Sequence, residues 1–135
     1  RPGSPPFRSA VVFRSGDVVA VIGRRRSESL IERWARGMRQ VEGLSVETLA
    51  VPGNGETLQA TRLSDHSPFW DAGFSALMIT DTSFMRNPHY HQPSDTPETL
   101  DPDFLALVAS GCLAAVRRIV TAAGTGKETR DETCQ

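Results

Sequence analysis

Apolar residues follow two rhythms along this chain, and the alternation between them defines its elements. Val18-Val19-Ala20-Val21-Ile22 is a continuous apolar run, rich in β-branched residues and followed by Gly23. Such a run predicts a strand buried on both faces, ended at the glycine. Leu30, Ile31, Trp34, Met38 and Val41 then recur at helical spacing, with Ser27 placed to cap the helix and Gly43 placed to end it. Val46 to Val51 predicts a second strand, stopped by Pro52-Gly53, and a Gly/Asn loop crosses residues 53–57. Residues 64–73 predict a short helix that tolerates Pro68 in its first turn. Ala76-Leu77-Met78-Ile79-Thr80 predicts a third strand, and the polar loop from Asp81 to Thr99 holds three prolines. Asp101 then caps a long helix with Pro102 at its first position. Phe104, Leu105, Val108, Cys112, Leu113, Val116, Ile119 and Val120 form the apolar face of that helix.

Strand and helix alternate three times, which predicts an α/β fold, three-layer α/β/α, with a mostly parallel or mixed sheet. Three buried strands make a thin sheet for such long helices, because each strand needs neighbours for its ladder hydrogen bonds. The sheet therefore reads as an incomplete domain. Residues 1–15 are rich in Pro and Arg and read as a loop or linker, residues 16–123 as the folded part, and residues 124–135 as a polar, disordered tail. The opening Arg-Pro-Gly-Ser-Pro-Pro resembles the middle of a polypeptide rather than a natural beginning.

Length and composition narrow the picture. A chain of 135 residues with 39% hydrophobic and 23% charged residues has material for one domain with a core. No uninterrupted run of about eighteen apolar residues occurs, so no transmembrane segment is expected. Fifteen basic and sixteen acidic residues leave a net charge of −1, which argues against a dedicated nucleic-acid or polybasic membrane binder. The run Arg24-Arg25-Arg26 reads as solvated loop. Its place between a strand and a helix start leaves an anion-binding regulatory role as an alternative, although no glycine-rich phosphate motif accompanies it. Cys112 reads as a buried thiol and Cys134 falls in the polar tail, so the cysteines do not reveal a compartment.

Candidate chemistry is concentrated late in the chain. All three histidines, His66, His89 and His91, lie within 26 residues of one another, among Asp65, Asp71, Asp81, Tyr90 and Asp95. Loops that leave the carboxyl ends of strands in open α/β sheets are common ligand sites. An imidazole there can hold zinc when its second nitrogen is fixed by a hydrogen bond, which a carboxylate such as Asp95 could accept. A phenol such as Tyr90 could donate to a developing oxyanion. On spacing alone, two histidines in a loop read as surface residues rather than metal ligands, and neither His-Glu-x-x-His nor Cys-x-x-Cys occurs. Ser64 and Ser67 flank Asp65-His66 without a nucleophile elbow.

Two stretches add a resemblance. Ser64-Asp65-His66-Ser67-Pro68-Phe69-x-x-Ala72-Gly73, followed by the strand to Thr80-Asp81, is the first. Asn87-Pro88-His89-Tyr90-His91-x-x-x-Asp95-Thr96, followed by Leu100-Asp101, is the second. Together they resemble the C-terminal half of the zinc aminopeptidases with a co-catalytic metal pair, a group that includes bacterial leucyl and Streptomyces-type aminopeptidases, glutamate carboxypeptidase II and the glutaminyl cyclases. The resemblance implies that His91 is a metal ligand and that Tyr90 stabilises the oxyanion. It implies that Asp65 and His66 lie beside the cleft, as support or as substrate contacts, and that Asp95 acts behind the ligand or fixes the loop. His89 matches no family role and reads as exposed loop. The implied chemistry is hydrolysis of a terminal peptide bond in a peptide or amino-acyl substrate, by water activated on a zinc pair. Members of the group are often secreted or periplasmic.

The departure from the family pattern matters as much. The family's remaining ligands are a His-x-Asp pair, a Glu-Glu pair and a further Asp, all earlier in the chain. Residues 1–63 hold no histidine, and Glu28, Glu32, Glu42, Glu47 and Glu56 do not reproduce the pattern. The chain therefore reads as a C-terminal fragment that lacks the N-terminal half of its domain, with one ligand for two zinc ions and little activity of its own. A metal-free binding module on the same scaffold is the alternative.

Overall fold

The computed structural model describes residues 18–82 and 87–124. The expected loop over 1–15 and the tail beyond Gly124, with Cys134, lie outside the described residues. A three-stranded mixed sheet has the order β2-β1-β3. Strand β1 (Val18–Arg24) is central. Its neighbour β2 (Ser45–Val51) runs parallel, in register from Val18↔Ser45 to Arg24↔Val51. On the other side β3 (Met78–Thr80) runs antiparallel, with Ala20 opposite Thr80 and Ile22 opposite Met78.

The period-two alternation of β1 divides the core. Val19 and Val21 face helix α1 (Glu28–Met38), which buries Ile31, Ala35 and Met38, and helix α3 (Pro102–Gly124), which buries Ala115. Ala20 and Ile22 face the other way, onto Val51 and Trp70 of the short helix α2 (His66–Asp71). The chain is thus a small α/β structure with apolar clusters on both faces of one sheet.

Gly23 does not end the first strand, as the sequence suggests. It is an interior strand residue on the α1 face, where a Cβ would stand 2.8 Å from Ile31 Cγ1 and 2.8 Å from Leu77 Cδ2. Its missing side chain lets Ile31 settle directly on the strand. The next residue, Arg24, falls on the α2 face and is 1% exposed. The reading of the whole basic run as solvated loop is therefore corrected at Arg24, whereas Arg25 and Arg26 are exposed.

Helix α1 also differs from its expected extent. It stops at Met38, and turns carry the chain through residues 39–43 to Gly43 at φ +82°. Leaving the helix early delivers Leu44 to the core, where Arg39 fastens the new direction by donating to the Val46 carbonyl at 2.9 and 3.2 Å. Ser27 precedes α1 but makes no side-chain cap; its hydroxyl pairs with Ser75 Oγ at 2.9 Å.

Asp101 caps α3 as expected, its Oδ1 accepting from the amides of Asp103 and Phe104 at 3.0 Å each. The apolar face is corrected. Phe104, Leu107, Val108, Cys112 and Ala115 pack inward, while Leu105, Leu113, Val116 and Val120 are exposed. The reason is the closeness of the two helices. A Cβ on Gly37 of α1 would stand 2.4 Å from Ala115 Cα, so the small residues face inward and the larger ones are turned out. By length and composition α3 is also apolar enough to cross a membrane over Pro102–Ala122, a property that counting uninterrupted apolar runs overlooks.

Candidate functional site

Because β3 is antiparallel to β1, the loop it feeds leaves the sheet beside the amino end of β1. Thr80 and Asp81 meet Val19 there, at the edge of a cavity of about 830 Å³. The sequence places this loop at the carboxyl ends of strands. That is true of β3 alone, since β1 and β2 point their carboxyl ends the other way. Met78, Ile79, Phe104, Leu105 and Val108 give the cavity an apolar wall. Ser64, Asp81, Asn87, His89, Tyr90, Thr99 and Asp101 give it polar groups.

Overlapping turns build the described part of the loop. The Tyr90 amide donates to the Asn87 carbonyl at 3.2 Å, the Gln92 amide to His89 at 2.8 Å and the Asp95 amide to Gln92 at 3.0 Å. Asn87 Oδ1 also accepts from the His89 amide at 2.8 Å. Among the described residues, two that are not glycine adopt left-handed backbone, Thr82 at φ 75° and His91 at φ 57°. Such conformations cost on the order of 1–3 kcal/mol each and are concentrated at functional sites. At His91 the imidazole stacks on the Tyr90 ring, with centroids 4.0 Å apart and planes 15° from parallel.

The residues singled out by sequence are only partly brought together. Tyr90 is half-buried and lines the cavity. His91 stacks on it yet is exposed and does not line the cavity. His89, read from sequence as exposed loop, is half-buried on the cavity lining, and its Nδ1 lies 2.9 Å from Ser94 Oγ. No sequence signal separates the two histidines, since only the turn geometry decides which ring faces inward. Asp65 and Asp95 are exposed, and neither lines the cavity, although Ser64 beside Asp65 does.

His66 is buried at 6% exposure, with Nε2 2.7 Å from the Thr61 carbonyl and its ring edge-on to Trp70 at 4.4 Å. Its Nδ1 has no hydrogen-bond partner. Trp70, in turn, donates its indole N–H to the Ala76 carbonyl at 2.9 Å, and Ser67 Oγ donates to the Arg62 carbonyl. These bonds tie α2 to the segments before and after it. Among the described residues no group of three or more His, Cys, Asp or Glu side chains is arranged to hold a metal ion.

Arg24 anchors the other end of α2. Its guanidinium donates to the Trp70 carbonyl and Asn54 Oδ1 at 2.8 Å each, to Gly73 at 3.3 Å and to the Phe74 carbonyl. Arg26 adds a bond to Gly73 at 2.7 Å. Burial lowers the affinity of Arg24 for its proton, and the neighbouring Arg26 charge adds to this, opposed by Asp71. Two of the three arginines thus donate to protein acceptors, and Arg24 is turned into the fold rather than toward an anion at Gly23 to Ser27. Asp71 accepts from Arg62 at 2.7 Å, and this pair holds the Asp71 carboxyl below its ordinary pKa.

The model of peptidase family M28 matches residues 14–116. The uncharacterized protein YfbL of Escherichia coli (strain K12) is 34% identical over 98 residues, covering 73% of this chain. The chain spans 29% of the length of that relative. No solved structure matches. With more than half of its residues matched by the family model, the chain belongs to peptidase family M28, a family of zinc-type metallopeptidases.

Proposed function

We propose that these residues form the C-terminal part of a zinc-dependent exopeptidase, an aminopeptidase by preference, that removes terminal residues from peptides. On this reading the fold is one side of a three-layer peptidase domain, and the chain alone has little activity. The observation that carries the reading is a mismatch. The cavity-lining Tyr90 and the strained, stacked His91 stand in the sequence context typical of the family, yet the described residues contain no metal-ligand set. A catalytic zinc normally takes three protein ligands and keeps one open position. One exposed imidazole does not meet that need, so the donors present here do not by themselves fit a zinc pair.

Within the proposal His91 contributes one imidazole, and Tyr90 donates to the oxyanion of the tetrahedral intermediate. Asp65, His66 and Asp95 support the pocket; for His66 the bonds to Thr61 and the contact with Trp70 favour support over substrate contact. A metal-free binding module is the second reading, and the exposure of His91 favours it.

Zinc analysis of the longest natural polypeptide that carries these residues separates the two. Stoichiometric zinc that falls sharply in His91→Ala supports the peptidase, as does hydrolysis of aminoacyl anilides that drops about 10²–10³-fold in Tyr90→Phe at similar KM. Unchanged metal content in His91→Ala removes His91 from the site. Absence of both zinc and hydrolysis favours the binding module.

A further inference from the structure

The charges of this chain are segregated, which its net charge of −1 conceals. Helices α1 and α3 pack side by side, closest where Gly37 meets Ala115. That contact brings Arg33 and Arg36 of α1 beside Arg118 of α3, and the three line one shallow groove. An adjoining groove, lined by Gln40, Ser110, Leu113 and Arg117, shares Arg118 with the first. No carboxylate lines either groove. Among the described residues none of these four guanidiniums makes an ion pair or a side-chain hydrogen bond, and the ion pairs use Arg39 and Arg62 instead. Attraction to the negative end of a helix accounts for Arg36 alone, which lies in the last turn of α1; the last turn of α3 holds no basic residue. Like charges crowded in this way repel one another, and an anion laid against them relieves the repulsion.

Apolar side chains stand beside this basic patch. Leu113, Val116 and Val120 recur at helical spacing on α3 and are 54%, 43% and 63% exposed. Ile31, Ala35, Met38 and Ala115 take the side of the two helices that faces the core, so the arginines lie on the side turned from the sheet. Strands added at a sheet edge do not cover that side.

We propose that this outer face of α1 and α3 docks on an anionic phospholipid surface. Guanidiniums bind phosphate oxygens through paired N–H donors. Their long stems let the charged heads reach lipid headgroups while neighbouring apolar side chains enter the acyl boundary. Two observations choose a surface over a small phosphoanion. All four arginines are exposed and the grooves are shallow, whereas a small-ligand site encloses most of its ligand. Cations and exposed aliphatic groups also lie side by side, and a bilayer interface satisfies both at once. A second copy of this chain fits poorly, because a two-fold contact centred on the arginines sets like charge against like. The proposal is independent of the peptidase reading.

The test uses the longest natural polypeptide that carries these residues. Co-sedimentation compares vesicles of phosphatidylglycerol mixed with phosphatidylcholine against vesicles of phosphatidylcholine alone. An arginine near an anionic surface contributes about fivefold, so Arg117→Gln/Arg118→Gln should weaken the phosphatidylglycerol-dependent binding about 30-fold. Arg33→Gln/Arg36→Gln, on the other helix, should do the same and guards against a folding defect in the first pair. Leu113→Gln/Val120→Gln should weaken binding as well, by an amount that salt does not screen. Arg25→Glu, at an exposed position before α1, changes the net charge as much as either arginine pair and should leave binding unchanged. Equal binding to the two kinds of vesicle, or an equal loss in Arg25→Glu, overturns the proposal. So does release of bound protein by inorganic pyrophosphate at an ionic strength where sodium chloride releases none, which marks a discrete phosphoanion site. Self-association that the arginine pairs abolish, in a protein that does not sediment with vesicles, marks a second copy as the occupant and overturns it too.

Discussion

Replacing Arg24 with methionine tests the most concentrated set of polar bonds in the structure. Methionine keeps an apolar stem in the space between β1 and α2 but removes the guanidinium, which serves four acceptors. Gly73 keeps a donor from Arg26, and Asn54 is partly exposed and can turn to water. The Trp70 carbonyl retains only the turn bond from the Gly73 amide at 3.1 Å, and the Phe74 carbonyl loses its charged donor. Two carbonyls left under-satisfied, at about 1–2 kcal/mol each, predict a loss of about 2–4 kcal/mol. Methionine also removes a buried charge, and such replacements can be neutral when packing is good. The unsatisfied carbonyls should win, because methionine offers them no donor. For a domain of roughly 100 residues this corresponds to a fall in Tm of about 10–20 °C. Urea and thermal unfolding, followed by tryptophan fluorescence, measure it. A loss under about 0.5 kcal/mol, well below one unsatisfied carbonyl, would show that these groups find other donors and that Arg24 does not hold the 70–74 turn. Arg24→Lys should fall between the two, since one ammonium cannot span the same acceptors.

Three further outcomes follow from single contacts. Gly37→Ala gains about 1 kcal/mol of helix propensity but places a methyl 2.4 Å from Ala115 Cα, so the helices must separate. A net loss of about 1–2 kcal/mol is expected in urea titration, and a more stable variant would refute the close packing. Asp101→Ala should cost about 1 kcal/mol by removing the cap of α3, read as lost stability with unchanged helix content of the remainder. Asp71 titrates below its ordinary value because of Arg62, so the unfolded chain binds its proton first as the pH falls. Its contribution is therefore complete above the unfolded carboxylate range and is lost as the pH drops through its lowered folded value. Asp71→Asn should flatten that acid limb of Tm against pH, and an unchanged slope would remove the pair from the account.

Much of the fold is legible because the patterns are local. The β-branched run at residues 18–22, the helical spacing after Ser27 and the Asp101-Pro102 start of the long helix each specify their element through backbone sterics and capping alone. The candidate loop is legible only as a cluster of residue types. Tyr90 is singled out as a candidate by the motif around it, whereas the inward turn of His89 and the outward turn of His91 depend on turn geometry that no spacing encodes. His66 is visible in the sequence as a histidine, but its burial against Trp70 depends on where α2 meets the sheet.

The linear pattern is enough to establish an α/β chain with a central apolar strand, and to concentrate its candidate residues between positions 64 and 96. Period and composition are sufficient for that, because they act on neighbours a few residues apart. Three outcomes needed the folded arrangement: Gly23 as a contact point for Ile31, Arg24 as a buried anchor, and the choice of inward side on α3. Each turns on distances between segments far apart in the chain, where the closeness of one glycine to one alanine selects the face that is buried.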